Sequence, residues 1–221
     1  RSQHRNRDSE ERRYSGPKGD IAFRVKGNTR HLLLGERLVL NVMQRMSAIA
    51  THTAALRLLC KGTGARILDT RKTTPNFRFA EKWAVHIGGG VNHRFGLYDM
   101  ILVKDNHIDA CGGIGPALKN VRKYLKKHKL NIAVEVEART LREVQEILQI
   151  GGADRILLDN MSIPVMKSAV KMIRGRAETE ASGGITRKNI RSVAGTGVDF
   201  ISVGALTHHV KSMDLSLKIE K

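Results

Sequence analysis

The sequence predicts an α/β protein built as an open, incomplete α/β barrel of parallel strands. Two observations support this prediction. Short apolar runs alternate with segments of helical periodicity, which is typical of parallel βα units. About six of these runs are present, at 67–69, 100–105, 132–137, 155–160, 177–182 and 200–204. A closed barrel of this type has eight strands, so we expect an open one.

The segments between these runs predict helices. Leu38 to Cys60 carries apolar residues at a spacing close to 3.6 and predicts a long, largely buried helix. Further helices are expected around Arg78–Val85, up to about Lys129, over 141–150, after Pro164 and from Thr186.

The region ahead of the long helix has a different composition. Residues 1–18 are polar and charged, which predicts a disordered basic tail. Ile21 to Lys26 alternates loosely between apolar and polar residues, which predicts a strand. A strand of this length needs a partner, because it cannot form a domain by itself.

The composition is that of a globular protein. Of its 221 residues, 41% are hydrophobic, enough for a sizeable core. Cys60 and Cys111 lie far apart in the chain and show no metal-ligand spacing, so we expect free thiols in a reducing compartment. No apolar stretch approaches the roughly 20 residues of a membrane span, and no apolar signal region follows the N-terminus. We therefore expect a cytoplasmic protein with no membrane partner.

The net charge of +18 raises the question of nucleic-acid binding. Basic residues are spread along the chain, only 4% of residues are aromatic, and no zinc-finger, RNA-recognition or helix-turn-helix signature is present. These features do not favour nucleic acid as a partner, although they leave it as an alternative. A small polyanionic substrate accounts better for cations at strand ends.

Cations follow two of the predicted strands and one glycine run. Thr70, Arg71 and Lys72 come directly after the run at 67–69, and His93 and Arg94 follow three consecutive glycines. Lys104 closes the strongly apolar run at 100–103. Arginine provides a planar fork for carboxylate or phosphate and lysine a point charge. These positions predict an anion-binding site at the mouth where parallel strand ends collect.

Carboxylates occupy other strand ends. Glu135 and Glu137 share one face of a strand, and Asp159 ends the run at 155–158. Acidic side chains in a strand are costly to bury without cationic or metal partners. They can hold ribose hydroxyls, position Mg²⁺ or stabilise a sugar cation, and the alternative is a structural ion pair with the nearby cations.

Two glycine-containing turns follow the last strands. One is Ser182-Gly183-Gly184, and the other begins with Gly204-Ala205 and ends at His208. In barrels, the loops after the final strands commonly bind phosphate through backbone N–H groups. The sequence thus offers cations, carboxylates and a phosphate-binding turn, but no nucleophile-base pair. This combination suits the transfer of a phosphorylated sugar between anions.

A set of ordered motifs runs from about Gly19 to the C-terminus. They are Glu36-Arg37-Leu-Val-Leu-Asn41, Gln44-Arg45-Met-Ser47, Thr70-Arg71-Lys72-Thr73, Gly88 to Asp99, Lys104-Asp-Asn-His107, Val134-Glu-Val-Glu137, Leu158-Asp-Asn160, Glu180 to Thr186 and Gly204-Ala-Leu-Thr-His208. Together they resemble quinolinate phosphoribosyltransferase, the decarboxylating enzyme family also called nicotinate-nucleotide pyrophosphorylase.

The resemblance implies a dimeric transferase of NAD biosynthesis with an incomplete barrel. It implies that quinolinate and phosphoribosyl pyrophosphate are converted to nicotinate mononucleotide, pyrophosphate and CO₂ with Mg²⁺. Arg71, His93, Arg94 and Lys104 are implied to hold the dicarboxylate, with Arg37 reaching in from the partner subunit. Thr70 belongs to the same motif, and Lys72 is implied near both substrates.

The remaining roles also follow from the resemblance. Glu137 and Asp159 match the carboxylates that face the ribose and the metal, and with Lys72 they form the implied catalytic set. The phosphate site is implied at Ser182, Gly183, Gly184, Gly204, Ala205 and His208.

The family pattern also gives a domain organisation. The family has an N-terminal α/β domain, and here residues 19–37 resemble a remnant of that domain with its linker, ahead of a catalytic barrel at 38–221. This departure leaves three alternatives open: a truncated, weakly active or inactive relative; a related barrel transferase of the molybdenum-transport-associated family; and a basic nucleic-acid-binding protein on this scaffold.

Overall fold

The computed structural model describes residues 19–219, so the predicted tail at 1–18 lies outside the described residues. The described part contains six strands: β1 (Arg66–Leu68), β2 (Met100–Val103), β3 (Ala133–Ala138), β4 (Arg155–Asp159), β5 (Glu178–Ser182) and β6 (Phe200–Ser202). Its helices are α1 (Thr29–Leu59), α2 (Arg78–Ile87), α3 (Asp105–Cys111), α4 (Ile114–His128), α5 (Leu141–Ile150), α6 (Ile163–Ile173), α7 (Ile190–Ala194) and α8 (Ala205–His208). None of these helices is both long enough and apolar enough to span a bilayer.

All strand pairs are parallel, in the order β1-β6-β5-β4-β3-β2. β1 and β2 therefore form the two free edges of the sheet. The sheet is nevertheless strongly curved. This curvature is shown by His93, which lies beside β1 and contacts Glu135 of β3 and Glu180 of β5. The predicted fold, an open α/β barrel of about six strands, is confirmed.

A short segment lies along the open edge of β1. The Val91 N–H donates to the Ile67 carbonyl at 2.8 Å, and the Asp69 N–H donates to the Val91 carbonyl at 3.3 Å. We call Val91–Arg94 the seam segment. It occupies the position beside β1 that a further strand would take in a closed barrel.

The two faces of the curved sheet have different chemistry. On β3, Val134 and Val136 face the helices, while Glu135 and Glu137 alternate with them and point inward. The outer face packs against α5, α6 and α7 to form the apolar core, in which Ile156, Leu158 and Ile201 are fully buried. The hydrophobic effect therefore holds the helices onto the sheet, whereas the inside of the barrel is charged.

The long helix α1 begins earlier than predicted. Asn28 caps it, since its side-chain oxygen accepts hydrogen bonds from the backbone N–H groups of Arg30 and His31 at 3.0 and 3.4 Å. The cap starts the helix at Thr29, whereas apolar periodicity alone placed its start at Leu38. The helix therefore crosses the predicted domain boundary between residues 37 and 38, and that boundary stays a prediction.

The predicted strand at Ile21–Lys26 is wrong. These six residues are exposed and have no assigned secondary structure. The alternating pattern is a weak signal when no neighbouring strand supplies hydrogen bonds, and none does so within residues 19–219. A single helix was predicted up to about Lys129, but the structure has two helices there. Gly112 and Gly113 adopt positive φ values of 78° and 131° and separate α3 from α4.

The glycine run after α2 serves helix packing. A Cβ on Gly88 would lie 2.4 Å from the Ala50 carbonyl oxygen of α1, and one on Gly90 would lie 2.8 Å from Thr53 Cγ2. The absence of side chains therefore lets the end of α2 approach α1 closely. The run positions the seam segment, which follows it directly.

We predict that Gly88→Ala lowers the free energy of unfolding by about 1–3 kcal/mol, as overpacking typically does. The backbone of Gly88 is helical at φ −71°, so the loss would come from the contact with α1 alone. Gly35→Ala is the matched control, because a Cβ there meets nothing within 4 Å, and it should stabilise α1 by about 0.5–1 kcal/mol. Denaturant unfolding of both variants checks this; equal stability of Gly88→Ala and the unaltered chain would contradict the packing role.

Candidate active site

The carboxyl ends of the six strands meet at one mouth, as parallel strands require. The sheet order places the ends of β1 and β6 side by side, followed by those of β5, β4, β3 and β2. The loops that leave these ends carry the residues selected from the sequence. The mouth therefore has three sectors: cations beside β1 and the seam segment, carboxylates at β2 to β4, and glycine turns at β5 and β6.

Arg71 and Arg94 form the cationic sector. Partial burial, followed by repulsion from Arg71, lowers the pKa of Arg94, so the two guanidinium groups lie close together. Arg94 Nη1 donates to the Met100 carbonyl at 3.2 Å, which leaves the rest of its fork available. Arg71 Nε is buried and has no hydrogen-bond partner within residues 19–219. Two neighbouring cations with unused donors form a site for a small anion.

Lys72 lies between this sector and the β6 turn. Its backbone carbonyl accepts a hydrogen bond from Thr207 Oγ1 at 2.6 Å. A Cβ on Gly204 would lie 3.5 Å from Lys72 Cδ and 3.0 Å from His208 Nε2. The glycine therefore leaves room for both side chains above the turn. Slight burial, followed by His209 and Lys72, lowers the pKa of His208, which agrees with its place beside a lysine.

The carboxylate sector contains Glu137 and Asp159 together with Asp105. Burial raises the pKa of Glu137, and the charges of Asp159 and Asp105 raise it further, while Lys104 opposes them. The Asp105 N–H also hydrogen-bonds the Glu137 carboxylate. Asp105 was missed as a candidate, although it follows Lys104 directly in the sequence. Clustered carboxylates of this kind attract a cation.

The first glycine turn is built around Asn160. Its Nδ2 donates to Asp159 Oδ2 at 2.6 Å, and its backbone N–H donates to the Ser182 carbonyl at 2.9 Å. A Cβ on Gly183 would lie 2.1 Å from Asn160 Oδ1, and the positive φ of 92° also favours glycine there. Asn160 thus joins the carboxylate sector to the glycine turn. Beyond it, a Cβ on Gly184 would meet no atom of residues 19–219 within 4 Å, so these residues leave the space next to this glycine open.

A buried ion pair fastens the seam segment from behind. Lys82 of α2 donates to the Asp69 carboxylate and, at 2.8 Å, to the His93 carbonyl. Asp69 also accepts from Asn92 Nδ2 at 2.5 Å and from the His93 N–H at 2.9 Å. Burial raises the pKa of Asp69 against the pull of Lys82, and it lowers that of Lys82 against the pull of Asp69. One carboxylate therefore joins β1, α2 and the seam segment.

His93 itself points into the barrel, below the mouth. Its Nε2 lies 2.9 Å from Glu135 Oε2 and 3.4 Å from Glu180 Oε2. Burial lowers the pKa of His93, but the hydrogen bonds and charges of the two glutamates outweigh it and raise that pKa to about 9. Burial also raises the pKa of Glu135, to about 7. Arg155 Nη1 lies 3.3 Å from Glu180 Oε2 and balances the remaining charge.

The predicted residues differ in how far the structure brings them together. Ser182, Gly183, Gly184, Gly204, Ala205 and His208 lie on the turns after β5 and β6, and Thr70, Arg71, Lys72, Arg94, Lys104, Glu137 and Asp159 lie around the same mouth. Arg37 is exposed on the N-terminal half of α1, and its side chain makes no hydrogen bond or ion pair within residues 19–219. Its predicted role across a dimer interface stays a prediction.

Sequence reasoning missed the partners inside the barrel. Glu180 and Arg155 entered only within motifs or strands, and Lys82 was not considered. Glu178, Glu180 and Ser182 alternate along β5 in the same way as Glu135 and Glu137 along β3. That shared period of two was the available signal for Glu180.

An α/β barrel that gathers unpaired arginines, carboxylates and glycine turns at one mouth belongs to the class of enzymes that position small polyanions for group transfer. Comparison with known proteins identifies the particular family. The family model for the quinolinate phosphoribosyl transferase C-terminal domain matches residues 49–218. The chain belongs to this family, as its motifs indicated.

Individual relatives agree with the family match. The chain is 50% identical over 211 residues to quinolinate phosphoribosyltransferase [decarboxylating] 2, mitochondrial, of Nicotiana glauca, with 89% of this chain and 60% of the relative covered. It is 46% identical over 202 residues to a probable nicotinate-nucleotide pyrophosphorylase [carboxylating] of Bacillus subtilis, with 91% and 68% covered. The crystal structure of NadC from Streptococcus pyogenes superposes with a TM-score of 0.85 at 42% identity, covering 90% of this chain and 69% of that one. The chain thus spans about 60% of the length of the plant relatives.

We predict that Lys82→Met lowers the free energy of unfolding by about 3–5 kcal/mol, because it leaves the Asp69 carboxylate buried without a cation. The Lys82 and Asp69 side chains are only 4% and 0% exposed. Arg139→Met is the control: its side chain is 41% exposed and its partners Asp109 and Glu143 lie at the surface, so stability should not change measurably. The double variant Lys82→Met with Asp69→Asn should recover part of the loss in denaturant unfolding. Equal stability of Lys82→Met and Arg139→Met would contradict the role of the pair.

Proposed function

We propose that the chain catalyses decarboxylating phosphoribosyl transfer from phosphoribosyl pyrophosphate to quinolinate. The products would be nicotinate mononucleotide, pyrophosphate and CO₂. One observation carries the proposal: Arg71 and Arg94 lie together at the mouth with unused donors, beside a carboxylate sector that no cation fully balances. A dicarboxylate acceptor and a pyrophosphate-bearing sugar supply the charges that these two sectors lack. The printed names of the relatives support the same reaction.

Quinolinate would bind in the cationic sector. Its two adjacent carboxylates match two guanidinium forks, Arg71 and Arg94, and Lys104 at the end of β2 supplies a further cation. Partial burial, followed by the charge of Arg71, lowers the pKa of Arg94, so an anion between the two arginines would relieve their repulsion. Thr70 lies at the base of this sector, and His93 holds the backbone of Arg94. Arg37 of a second subunit would complete the site in a homodimer or higher oligomer.

Phosphoribosyl pyrophosphate would occupy the other two sectors. The turns at Ser182–Gly184 and Gly204–His208 offer backbone N–H groups to a phosphate, and Lys72 beside Gly204 adds a cation. Glu137 and Asp159 would then face the ribose. Group transfer at the ribose develops positive charge on the sugar, and fixed carboxylates stabilise that charge.

The carboxylate sector also suits Mg²⁺. Burial and mutual repulsion raise the pKa of Glu137, which a divalent cation would reverse. Mg²⁺ usually binds one or two carboxylates together with substrate phosphates and water, so Glu137 and Asp159 would hold it. When bound, Mg²⁺ neutralises charge on the pyrophosphate. Within residues 19–219, the closely converging ligand set lies deeper, at His93, Glu135 and Glu180.

The residues at the mouth can serve each stage of the reaction. The pyridine nitrogen attacks C1 of the ribose, and the bond to pyrophosphate breaks with its electron pair leaving on that anion. Lys72 would stabilise the negative charge that develops on the departing pyrophosphate. After CO₂ departs, the electron pair on the adjacent ring carbon is stabilised by the ring cation and by a nearby Arg or Lys, and a proton then replaces the carboxylate.

The cellular location remains a prediction. The sequence predicts the cytoplasm, whereas the names of one Nicotiana glauca relative and of an Arabidopsis thaliana relative include mitochondrial and chloroplastic, respectively. The decisive experiment for the function is to incubate the purified chain with both substrates and Mg²⁺ and to measure nicotinate mononucleotide and CO₂. If neither product forms, and calorimetry detects no binding of either substrate, the proposal is wrong.

We predict that Arg94→Ala weakens quinolinate binding by about 1.5–3 kcal/mol, or roughly 10- to 150-fold in Kd, because it removes a charge-assisted contact. Lys104→Ala should act in the same direction. Lys127→Ala is the matched control, since Lys127 is exposed in the last turn of α4, at the end of that helix remote from the carboxyl ends of the strands. Calorimetric titration with quinolinate checks all three. An unchanged Kd in a folded Arg94 variant would remove this residue from the site.

We predict that Glu137→Gln and Asp159→Asn lower kcat while leaving the affinity for quinolinate nearly unchanged. The two carboxylates face the ribose and the metal in this proposal, so they act on the transition state rather than on the acceptor. Asp109→Asn, an exposed change on α3, serves as the control. Steady-state kinetics with each substrate varied in turn gives the answer. A loss of quinolinate affinity at unchanged kcat would show that the two carboxylates act on quinolinate and not on the ribose.

A further inference from the structure

The cluster of His93, Glu135 and Glu180 lies inside the barrel and is not used in the proposed chemistry. Glu135 and Glu180 are 0% and 1% exposed. Both Oε1 atoms lack a hydrogen-bond partner within residues 19–219. Burying two carboxylates in this way costs free energy of folding, so we expect the cluster to make some other contribution to the protein.

A metal ion is one possible explanation. The three side chains place one ligand atom each within 4.8 Å of one another, as a bound cation would require. A histidine that binds metal through Nε2 must carry its hydrogen on Nδ1. Here Nδ1 accepts the Arg94 backbone N–H at 2.7 Å, so the neutral ring carries its hydrogen on Nε2. Nε2 then presents that hydrogen to the glutamates and has no free electron pair for a metal.

The distances and the charges of the cluster then agree. His93 Nε2 lies 2.9 Å from Glu135 Oε2 and 3.4 Å from Glu180 Oε2, and Arg155 supplies a fixed cation to Glu180 at 3.3 Å. Arg155 is held in turn, because its guanidinium stacks on the Phe200 ring at 4.0 Å and its Nη2 contacts Glu178 at 2.8 Å. Protein cations therefore compensate the charge of this cluster in place of a metal.

The cluster acts on the seam segment through the imidazole of His93. The His93 backbone is already fixed at its N–H by Asp69 and at its carbonyl by Lys82. The ring adds a third connection, from the glutamates of β3 and β5 through Nε2 and Nδ1 to the Arg94 N–H. This connection reaches across the open barrel to the residue that carries the guanidinium at the mouth.

We propose that Glu135 and Glu180 are positioning residues for Arg94, which they hold through His93 in the orientation that meets the anionic acceptor. This inference rests on the proposed function, in which Arg94 binds a quinolinate carboxylate. The two glutamates touch neither substrate. They set the tautomer and the orientation of His93, and His93 sets the path of the backbone at Arg94.

The test compares Glu135→Gln, Glu180→Gln and Glu143→Gln, the last being a control on α5 whose partner Arg139 lies at the surface. Binding of quinolinate and of phosphoribosyl pyrophosphate is measured separately by calorimetry. We expect both inner variants to weaken quinolinate binding about tenfold, the low end of the loss seen when an oriented histidine loses its outer partner. Binding of phosphoribosyl pyrophosphate should change by less than about twofold, and the control should match the unaltered chain. Equal weakening of both substrates would indicate a merely structural role and overturn the proposal.

Two further measurements keep the outcome decisive. If an inner variant does not fold, ¹⁵N NMR of His93 in the unaltered chain, recorded above the His93 pKa of about 9, reports the tautomer of the neutral ring, and a hydrogen on Nδ1 alone would overturn the proposal. Titration with Zn²⁺ tests the metal alternative: tight binding that Glu180→Gln abolishes would replace the positioning role with a metal site. Failure of the unaltered chain to bind quinolinate would contradict the proposed function itself, whereas binding that is insensitive to the glutamates would contradict this inference alone.

Discussion

The carboxylate of Asp69 is the contact on which the arrangement of the mouth depends. It ends β1, accepts from Lys82 of α2, and accepts from Asn92 and the His93 N–H of the seam segment. An open barrel has no strand between β1 and β2 to fix the polypeptide at this point. The ion pair takes over part of that task, and because it is fully buried, its geometry is much better defined than that of a surface pair.

The charged interior follows from the same opening. In a closed barrel the inner layers are filled by branched apolar side chains from alternate strands. Here the inward positions carry Glu135, Glu137, Arg155 and Glu180, and the seam segment contributes His93 to the same space. Below the mouth, the charges of Glu135 and Glu180 are compensated by Arg155 of another strand and by His93 of the seam segment. The interior therefore links the sheet to the mouth through directional contacts, which apolar packing does not provide.

The elements of the barrel were predictable because each depends on a local pattern. The six strands followed from short apolar runs, and the helix over 141–150, observed as α5, from the segment between two of them. In the structure Thr140 caps this helix, since its Oγ1 accepts the Glu143 N–H. The strand at Ile21–Lys26 was predicted wrongly because a strand depends on a partner that local alternation does not reveal. The start of α1 was missed because the Asn28 cap extends the helix beyond its buried half.

The site was predictable to a different degree. Residues at strand ends, such as Arg71, Lys104 and Asp159, could be selected because the topology brings all parallel strand ends together. Their partners could not be selected in this way. Lys82 meets Asp69, Arg155 meets Glu180, and His93 meets Glu135 across separations of 13, 25 and 42 residues, respectively. Such pairs depend on how the sheet curves, and that curvature is a property of the assembled barrel rather than of any one segment.

The contrast between the compensated interior and the uncompensated mouth explains how the site can bind polyanions. Inside the barrel, opposite charges are paired and the free energy of burial is offset within the fold. At the mouth, Arg71 and Arg94 repel one another, and burial, followed by the charges of Asp159 and Asp105, raises the pKa of Glu137. A fold optimised for stability alone would mix these sectors into ion pairs. Keeping them apart leaves electrostatic free energy unrelieved, and it is released when an anion enters one sector and a cation the other. The buried clusters behind the mouth make this separation possible, because they hold the cationic and acidic loops too firmly for them to collapse onto each other.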